Sequence, residues 1–265
     1  MPTGSATVQV MIDAARKAAK QLNRDFGEVA ALQVSRKGAA DYVSAADLKA
    51  EQTIYEALSK ARPGYGFFAE ERGMVEGTDK THTYIVDPLD GTTNFLHSIP
   101  QFAINIALER DGQVVAAVTY NPVANELFWA ERGKGAYLND RRLRVAARTK
   151  LIDAVLATGI PFAGRAGHGQ FLKELHQISQ RVSGVRRFGS AALDLAWTAA
   201  GRFDGYWERN LSAWDIAAGG LLITEAGGKI TSADGGEFDP REGTVLAANA
   251  EIHPLVLELL QAASA

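Results

Sequence analysis

Apolar positions recur at helical spacing from the start of the chain. Val10, Met11, Ala14, Ala18, Leu22 and Phe26 fall on one side of Ala6 to Phe26, with Arg16, Lys17 and Lys20 on the other, which predicts an amphipathic helix. Lys37-Gly38-Ala39-Ala40-Asp41 reads as a turn into Tyr42-Val43. A second helix is expected from about Ser44, carrying Leu48, Ile54, Tyr55 and Leu58 and ending at Pro63-Gly64. Gly66-Phe67-Phe68-Ala69 predicts a strand that delivers Glu70 and Glu71 at its end. Tyr84, Ile85 and Val86 predict a buried strand that stops at Asp87. Pro88 has no N–H for a ladder and drives the residue before it into an extended conformation.

Beyond this point the period changes to two. Phe102 to Leu108 and Val114 to Tyr120, joined by Asp111-Gly112, predict a hairpin. Asn125 to Glu131 and Gly135 to Leu138 continue an antiparallel meander that ends around Val145. From Ala154 strands and helices alternate. Val155 to Ile160, Gly205-Tyr206-Trp207 and Val245 to Ala248 read as strands. Phe171 to Val182, Ser190 to Ala200, Asp215 to Ala226 and Ile252 to Leu260 read as helices. The pattern is an α+β half over residues 1–147 and an α/β half over residues 148–265, divided at the polar Arg148-Thr149-Lys150. There is no internal repeat.

Composition narrows the classes. At 265 residues, 46% hydrophobic and 22% charged, the chain has the make-up of a globular protein with a large core. A net charge of -3 gives no basis for a general nucleic-acid or membrane-surface binder, and no basic stripe carries interleaved aromatics. The absence of cysteine excludes disulfides, thiolate metal sites and cysteine nucleophiles. No apolar run approaches the ~20 residues of a membrane span, and Met1 to Ser5 lacks the features of a signal peptide, so a cytoplasmic protein is expected.

The candidate chemistry gathers around Thr83 to His97. Asp87 and Asp90 sit three residues apart at the strand end, followed by Gly91-Thr92-Thr93. Asp90 and Thr92 are both good caps for a helix starting there, whose free N–H groups suit an anion. Glu70 and Asp215 are the other candidate carboxylates. Such a cluster needs countercharge, and an all-oxygen set favours Mg²⁺ or a similar hard cation over zinc. His82, His97, His168, His176 and His253 form no paired metal-ligand spacing. Taken singly, each residue has an ordinary alternative. Asp215 suits a helix N-cap, Glu70 a solvated charge beside Glu71 and Arg72, and Asp47 a first-turn helix acid.

Val86-Asp87-Pro88-Leu89-Asp90-Gly91-Thr92-Thr93-Asn94-Phe95 and Trp214-Asp215-Ile216-Ala217-Ala218-Gly219 resemble the paired signatures of the inositol monophosphatase family. That family lies within the Mg²⁺-dependent, lithium-sensitive phosphatases that include fructose-1,6-bisphosphatase. The resemblance covers nearly the whole chain. It implies a layered αβαβα sandwich of the α/β (α+β) class, a homodimer, and two to three Mg²⁺ ions per site. Glu70, Asp87 and the Leu89 carbonyl would hold one ion, and Asp87, Asp90 and Asp215 a second. Glu70 would help hold a weaker third ion through water. Thr92, paired with Asp47, would orient and activate the attacking water. The N–H groups of Gly91 and Thr92 would receive the phosphate, and Lys37 would sit near the metals.

Gly189-Ser190-Ala191 is similar to the family's Gly-Thr-Ala on the sugar side of the pocket. Glu208, seven residues before Asp215, matches the acid that receives inositol hydroxyls. A carboxylate there suits a neutral polyol, since it accepts two hydroxyl hydrogen bonds. Its ordinary alternative is a strand-end charge paired with Arg209. Asp194 and Arg186 stand near this rim without an assigned role. The chain departs from the family's Gly-Glu-Glu-Ser at Ala69-Glu70-Glu71-Arg72, where Arg72 either favours anionic substrates or faces solvent, and alanine suffices unless φ must be positive.

The implied activity is hydrolysis of a small-molecule phosphate monoester, inositol 1-phosphate first. Histidinol phosphate, fructose 1,6-bisphosphate and 3′-phosphonucleotides are the alternatives within the class. From another class, the chain would act as a binding partner with incidental catalysis. Substitution of Asp87 would separate the two.

Overall fold

The structure, a computed structural model, describes residues 4–28, 34–37 and 41–264, with no side chain described for residues 27, 34–37 and 41–44. Helix α1 spans Ala6–Gly27, capped by the Ser5 hydroxyl, which accepts from the N–H of Val8. Strands β1 (Val34–Lys37) and β2 (Asp41–Ser44) pair antiparallel and lead into α2 (Ala45–Ala61). The expected turn at Gly38-Ala39-Ala40 lies outside the described residues, as does the side chain of Lys37. Leu48, expected on the buried face of α2, is instead exposed, whereas Asp47 and Glu51 of that helix are buried.

Next come β3 (Gly66–Ala69), β4 (Gly73–Val75), β5 (His82–Asp90) and the one-turn helix α3 (Thr92–Leu96). The meander follows as β6 (Ala103–Arg110), β7 (Gln113–Asn121), β8 (Glu126–Glu131), β9 (Gly135–Leu138) and β10 (Arg141–Arg142). Among the described residues these strands form one sheet in the order β10-β9-β8-β7-β6-β5-β3-β4. Asp111 and Gly112 both take positive φ at the β6–β7 turn, as their sequence implied.

The second half contributes β11 (Val155–Thr158), α4 (His168–Ser179), β12 (Gly184–Arg186), α5 (Ala191–Ala199), β13 (Gly205–Glu208) and α6 (Ala213–Glu225). It ends with β14 (Lys229–Thr231), β15 (Val245–Ala248) and α7 (Ile252–Ser264). Its sheet runs β12-β11-β13-β15-β14, and the large sheet ends at Arg142, so the polar stretch at 148–150 falls between the two sheets. The short β4, β12 and β14 were not anticipated; three residues are too few for a periodicity to declare itself.

Alternation along the strands sorts the layers. Ile104, Ile106 and Leu108 of β6, with Val118 of β7, face α1 and α2. Ala107 and Ala117 face the other way, with Ile85 and Phe128, onto α5 and α6. Those helices answer with Leu195, Ala196, Ile216 and Ala217, and the same core continues to Tyr206 and Val245 of the small sheet. Small side chains on both surfaces let the helical layer lie close between two sheets. On the far side Leu156, Trp207 and Leu246 pack with Phe171, Ile178, Val256 and Leu260 of α4 and α7. The result is the expected αβαβα sandwich.

Strand β5 does not stop at Asp87. It continues to Asp90, and the pairing with β6 passes from Asp87 opposite Asn105 to Asp90 opposite Ala103 through a register shift. The missing N–H of Pro88 is absorbed as an irregularity rather than an end. Neither Asp90 nor Thr92 caps α3. The N-cap is Gly91, at φ 95°, with no side-chain cap. A Cβ at Gly91 would stand 2.8 Å from the Gln101 carbonyl oxygen, so the turn excludes larger residues on two counts.

Candidate active site

The break in β5 and the start of α6 bring three carboxylates to one point. Asp87, Asp90 and Asp215 offer oxygens that all lie within 4.8 Å of one another, and Asp47, Glu70 and Glu71 form a second such group. Asp87 is buried, and its Oδ1 accepts from the Leu89 N–H at 2.9 Å across the proline. Asp90 Oδ2 accepts from Ser190 Oγ at 2.5 Å and from the Ala192 N–H at 2.8 Å, which ties β5 to the start of α5. Asp215 Oδ2 accepts from the Ser212 N–H at 2.7 Å and completes a capping box on α6. The N-cap is therefore Ser212 and not Asp215, which stands at the third position of the helix and combines that capping-box contact with membership of the cluster.

Electrostatics express the crowding. Burial first, then the charges of Glu70, Asp90, Asp215 and Asp47, push the Asp87 carboxyl well above the usual range. Burial pushes Asp90 up to about 6 against the hydrogen bonds from Ser190 and Ala192. Burial and the charge of Asp90 push Asp215 up to about 7. Without a cation the cluster cannot carry its full negative charge at neutral pH. An all-carboxylate donor set that repels itself fits a hard divalent cation.

A cavity of about 300 Å³ opens over this cluster. Glu70, Asp87, Leu89, Asp90 and Asp215 line it, together with Gly91 and Thr92. Gly189, Ser190, Ala191 and Glu208 line it too, with Ser190 in contact with Asp90. Asp47 stands outside the lining, behind Thr92. The Thr92 hydroxyl is 3.0 Å from the Leu89 carbonyl and 3.5 Å from Asp47 Oδ2, so in this geometry its proton goes to Leu89. Lys37 was also expected near the metals, but its side chain is not described.

Glu208 does not pair with Arg209, whose guanidinium is taken by Glu174 and Asp234. Glu208 Oε2 instead accepts from the Tyr206 hydroxyl at 2.5 Å. Burial pushes Glu208 up to about 7. Arg72 neither reaches the cavity nor stands free in solvent. It lies 4.3 Å over the Tyr55 ring and bonds Gln52 and Glu51 on α2. Ala69 is buried in β3 and is not among the residues with positive φ, so alanine fits there.

Several supporting residues escaped the sequence reading. Glu51, buried one turn beyond Asp47, accepts from the N–H groups of Glu71 at 2.8 Å and Arg72 at 3.3 Å, and so fixes the turn bearing Glu70. Two acids at i and i+4 on an otherwise apolar helix face were the available signal. Asn94 donates to the carbonyls of Gln101 and Phe188 at 2.7 Å each and holds the Gly189 segment against α3. Asn105 is a polar residue on a strand of apolar ones, and it binds the backbone around Asp215. Arg165 and Arg187, on the cavity rim, carried no sequence signal.

Comparison with known proteins gives a consistent result. The family profile described as the inositol monophosphatase family matches residues 5–265. The chain is 68% identical over 256 residues to a Caulobacter vibrioides protein named inositol-1-monophosphatase, covering 96% of this chain and 100% of that one. A Mesorhizobium japonicum protein of the same name is 61% identical, covering 97% of each chain. Among solved structures, the extragenic suppressor protein suhB from Bartonella henselae superposes with a TM-score of 0.95 at 56% identity, over 97% of this chain and 99% of that one.

Proposed function

We propose a function from one premise: the chain belongs to the inositol monophosphatase family. It is a phosphomonoesterase that releases inositol and phosphate from inositol 1-phosphate. The observation that supports this most directly is the convergence of Asp87, Asp90 and Asp215 within 4.8 Å at one cavity, which Glu208 also lines.

Asp87, Asp90, Asp215, Glu70 and the Leu89 carbonyl would hold two to three Mg²⁺ ions. When bound, such ions supply the positive charge that phosphate-ester hydrolysis needs and lower the pKa of water. The chain's own groups do the rest. The N–H groups of Gly91 and Thr92 receive the phosphate. Thr92, directed by Asp47, orients the attacking water once its hydroxyl turns from the Leu89 carbonyl. Lys37 adds positive charge beside the metals. Gly189, Ser190 and Ala191 line the alcohol side, where Glu208 accepts hydroxyl hydrogen bonds. A homodimer belongs to the same proposal and rests on the family resemblance.

The deciding experiment is phosphate release from a panel of esters, with Mg²⁺ and with EDTA. The panel holds inositol 1-phosphate, histidinol phosphate, fructose 1,6-bisphosphate and a 3′-phosphonucleotide. Metal-dependent turnover highest on inositol 1-phosphate is expected. Another preferred ester would reassign the Glu208 side of the cavity, and no turnover on any would leave a binding role.

A further inference from the structure

Tyr206 presents a puzzle if it is only a core residue. It is fully buried within the cluster between the two sheets, where phenylalanine would fill nearly the same volume. A buried hydroxyl is costly unless bonded. Its partner here is a carboxylate of the cavity wall, Glu208 Oε2 at 2.5 Å. Residues 206 and 208 share one face of β13, because side chains repeat every second residue along a strand. Burial, with the charges of Glu208, Asp194 and Asp90, pushes the phenol well above its ordinary range, so it stays protonated and donates.

A second device acts on the same carboxylate from the neighbouring strand. Gly159 follows β11, which runs parallel to β13, and a Cβ there would stand 1.9 Å from Glu208 Oε1 and 2.2 Å from Oε2. The carboxylate therefore lies flat against the bare Cα of Gly159 while the phenol grips one oxygen. Among the described residues Tyr206 is the donor to this carboxylate, and Oε1 keeps its acceptor capacity for whatever enters the cavity.

We propose that Tyr206 is a positioning residue for substrate selection, aiming the Glu208 carboxylate at the hydroxyls of the alcohol half of the ester. This rests on the reading of Glu208 as the polyol acceptor. Tyr206→Phe removes the hydroxyl and keeps the ring. The test compares kcat and KM on inositol 1-phosphate with those on p-nitrophenyl phosphate, whose leaving group has no neighbouring hydroxyls. The preference for inositol 1-phosphate, as a ratio of kcat/KM values, should fall about tenfold, the size of one charge-assisted hydrogen bond. KM should carry most of the loss, and p-nitrophenyl phosphate kinetics should stay within about twofold.

An equal fall on both esters, or no fall on either, would overturn the proposal. Glu208→Gln is measured alongside. If it lowers the preference and Tyr206→Phe does not, Tyr206 is packing alone. If neither lowers it, the reading of Glu208 has failed and takes the proposal with it. The double variant should lose no more than Glu208→Gln alone, and an additive loss would show that Tyr206 acts by another route. Gly159→Ala leaves Tyr206 intact and should erode the same preference by displacing the carboxylate. An unchanged preference there would count against the clamp even if Tyr206→Phe fails to fold.

Discussion

Asn105 stands directly opposite Asp87 across the β5–β6 ladder, and its amide reaches past the ladder to the backbone of Asp215. The Nδ2 group donates to the carbonyls of Trp214 at 2.7 Å and Asp215 at 3.2 Å, while Oδ1 accepts from Thr119 at 2.6 Å. One buried amide thus sets the spacing between a carboxylate of the large sheet and one from α6. Groups that orient metal ligands are worth roughly 10–100-fold in metal affinity. Asn105→Ala should raise the Mg²⁺ concentration for half-maximal phosphate release about tenfold, with a smaller change in the plateau rate. A Mg²⁺ titration of the variant decides it, and an unchanged midpoint would assign Asn105 to packing.

Asp87→Asn keeps an oxygen that can accept from the Leu89 N–H and removes the charge that four neighbouring acids oppose. Activity should drop by at least about a thousandfold, because the proposed metal site loses its central carboxylate. The metal-free variant should nonetheless melt higher than the metal-free parent at pH 7.5, since a buried like-charge contact has been relieved. For a chain of this length each kcal/mol corresponds to about 2–4 °C. Thermal melts in EDTA would show it. A lower melting temperature would mean that the buried charge of Asp87, among its like-charged neighbours, does not destabilise the metal-free fold.

The carboxylate shifts also fix a pH dependence. Asp90 and Asp215, at about 6 and about 7 in the folded chain, lie above their unfolded values. Groups raised on folding contribute stability that is present at low pH and lost as pH rises through the folded values. The gain in melting temperature on adding Mg²⁺ should therefore be large at pH 8 and shrink steadily toward pH 5.5, as protons compete for the same oxygens. Activity should fall over the same range. Taking the difference with and without Mg²⁺ cancels titrations elsewhere in the chain. A gain independent of pH would be incompatible with this cluster as the metal site.

Arg72 gives a negative control. Its guanidinium is spent on Tyr55, Gln52 and Glu51, away from the cavity. Arg72→Gln should cost on the order of 1 kcal/mol of stability and leave the preference among phosphate esters unchanged. A shift toward neutral esters on the ester panel would mean that its charge reaches the substrate after all.

These residues also mark how far the sequence could be read. The carboxylate cluster was legible because Asp87, Asp90 and Asp215 sit in two local patterns whose chemistry depends on residue type and spacing. Elements such as α1, β6 and β7 were legible because they are long enough for their periods to declare themselves, whereas their layering was implied only by the family resemblance. What sequence concealed was side-chain reach over long separations. Asn94 meets Phe188 and Glu51 meets the N–H of Glu71. The run of β5 through Pro88 was hidden for a related reason. A proline ends a strand only when the ladder cannot bulge around it, and that is decided by β6.

His253 provides the opposite pH dependence. It lies fully buried at the start of α7, with Nε2 3.0 Å from Thr231 Oγ1 and Nδ1 without a partner among the described residues. Burial, assisted by the charge of Lys229, lowers its pKa to about 4. Its ordinary value is 6.5, so between pH 6.5 and 4 the unfolded chain takes up a proton that the folded chain refuses. Stability is lost as pH falls through that window, by about 3 kcal/mol in all. His253→Gln removes the titration while keeping a polar group for Thr231. Its unfolding free energy, from urea titrations at pH 7, 6, 5 and 4, should decline with pH less steeply than the parent's. The difference in slope approaches about 1.4 kcal/mol per pH unit in the middle of the window. Any contribution from the carboxylate cluster is common to both proteins and drops out of the comparison. Parallel curves would place a proton on His253 in the folded state, and would require a charged imidazole to sit at zero exposure beside Lys229.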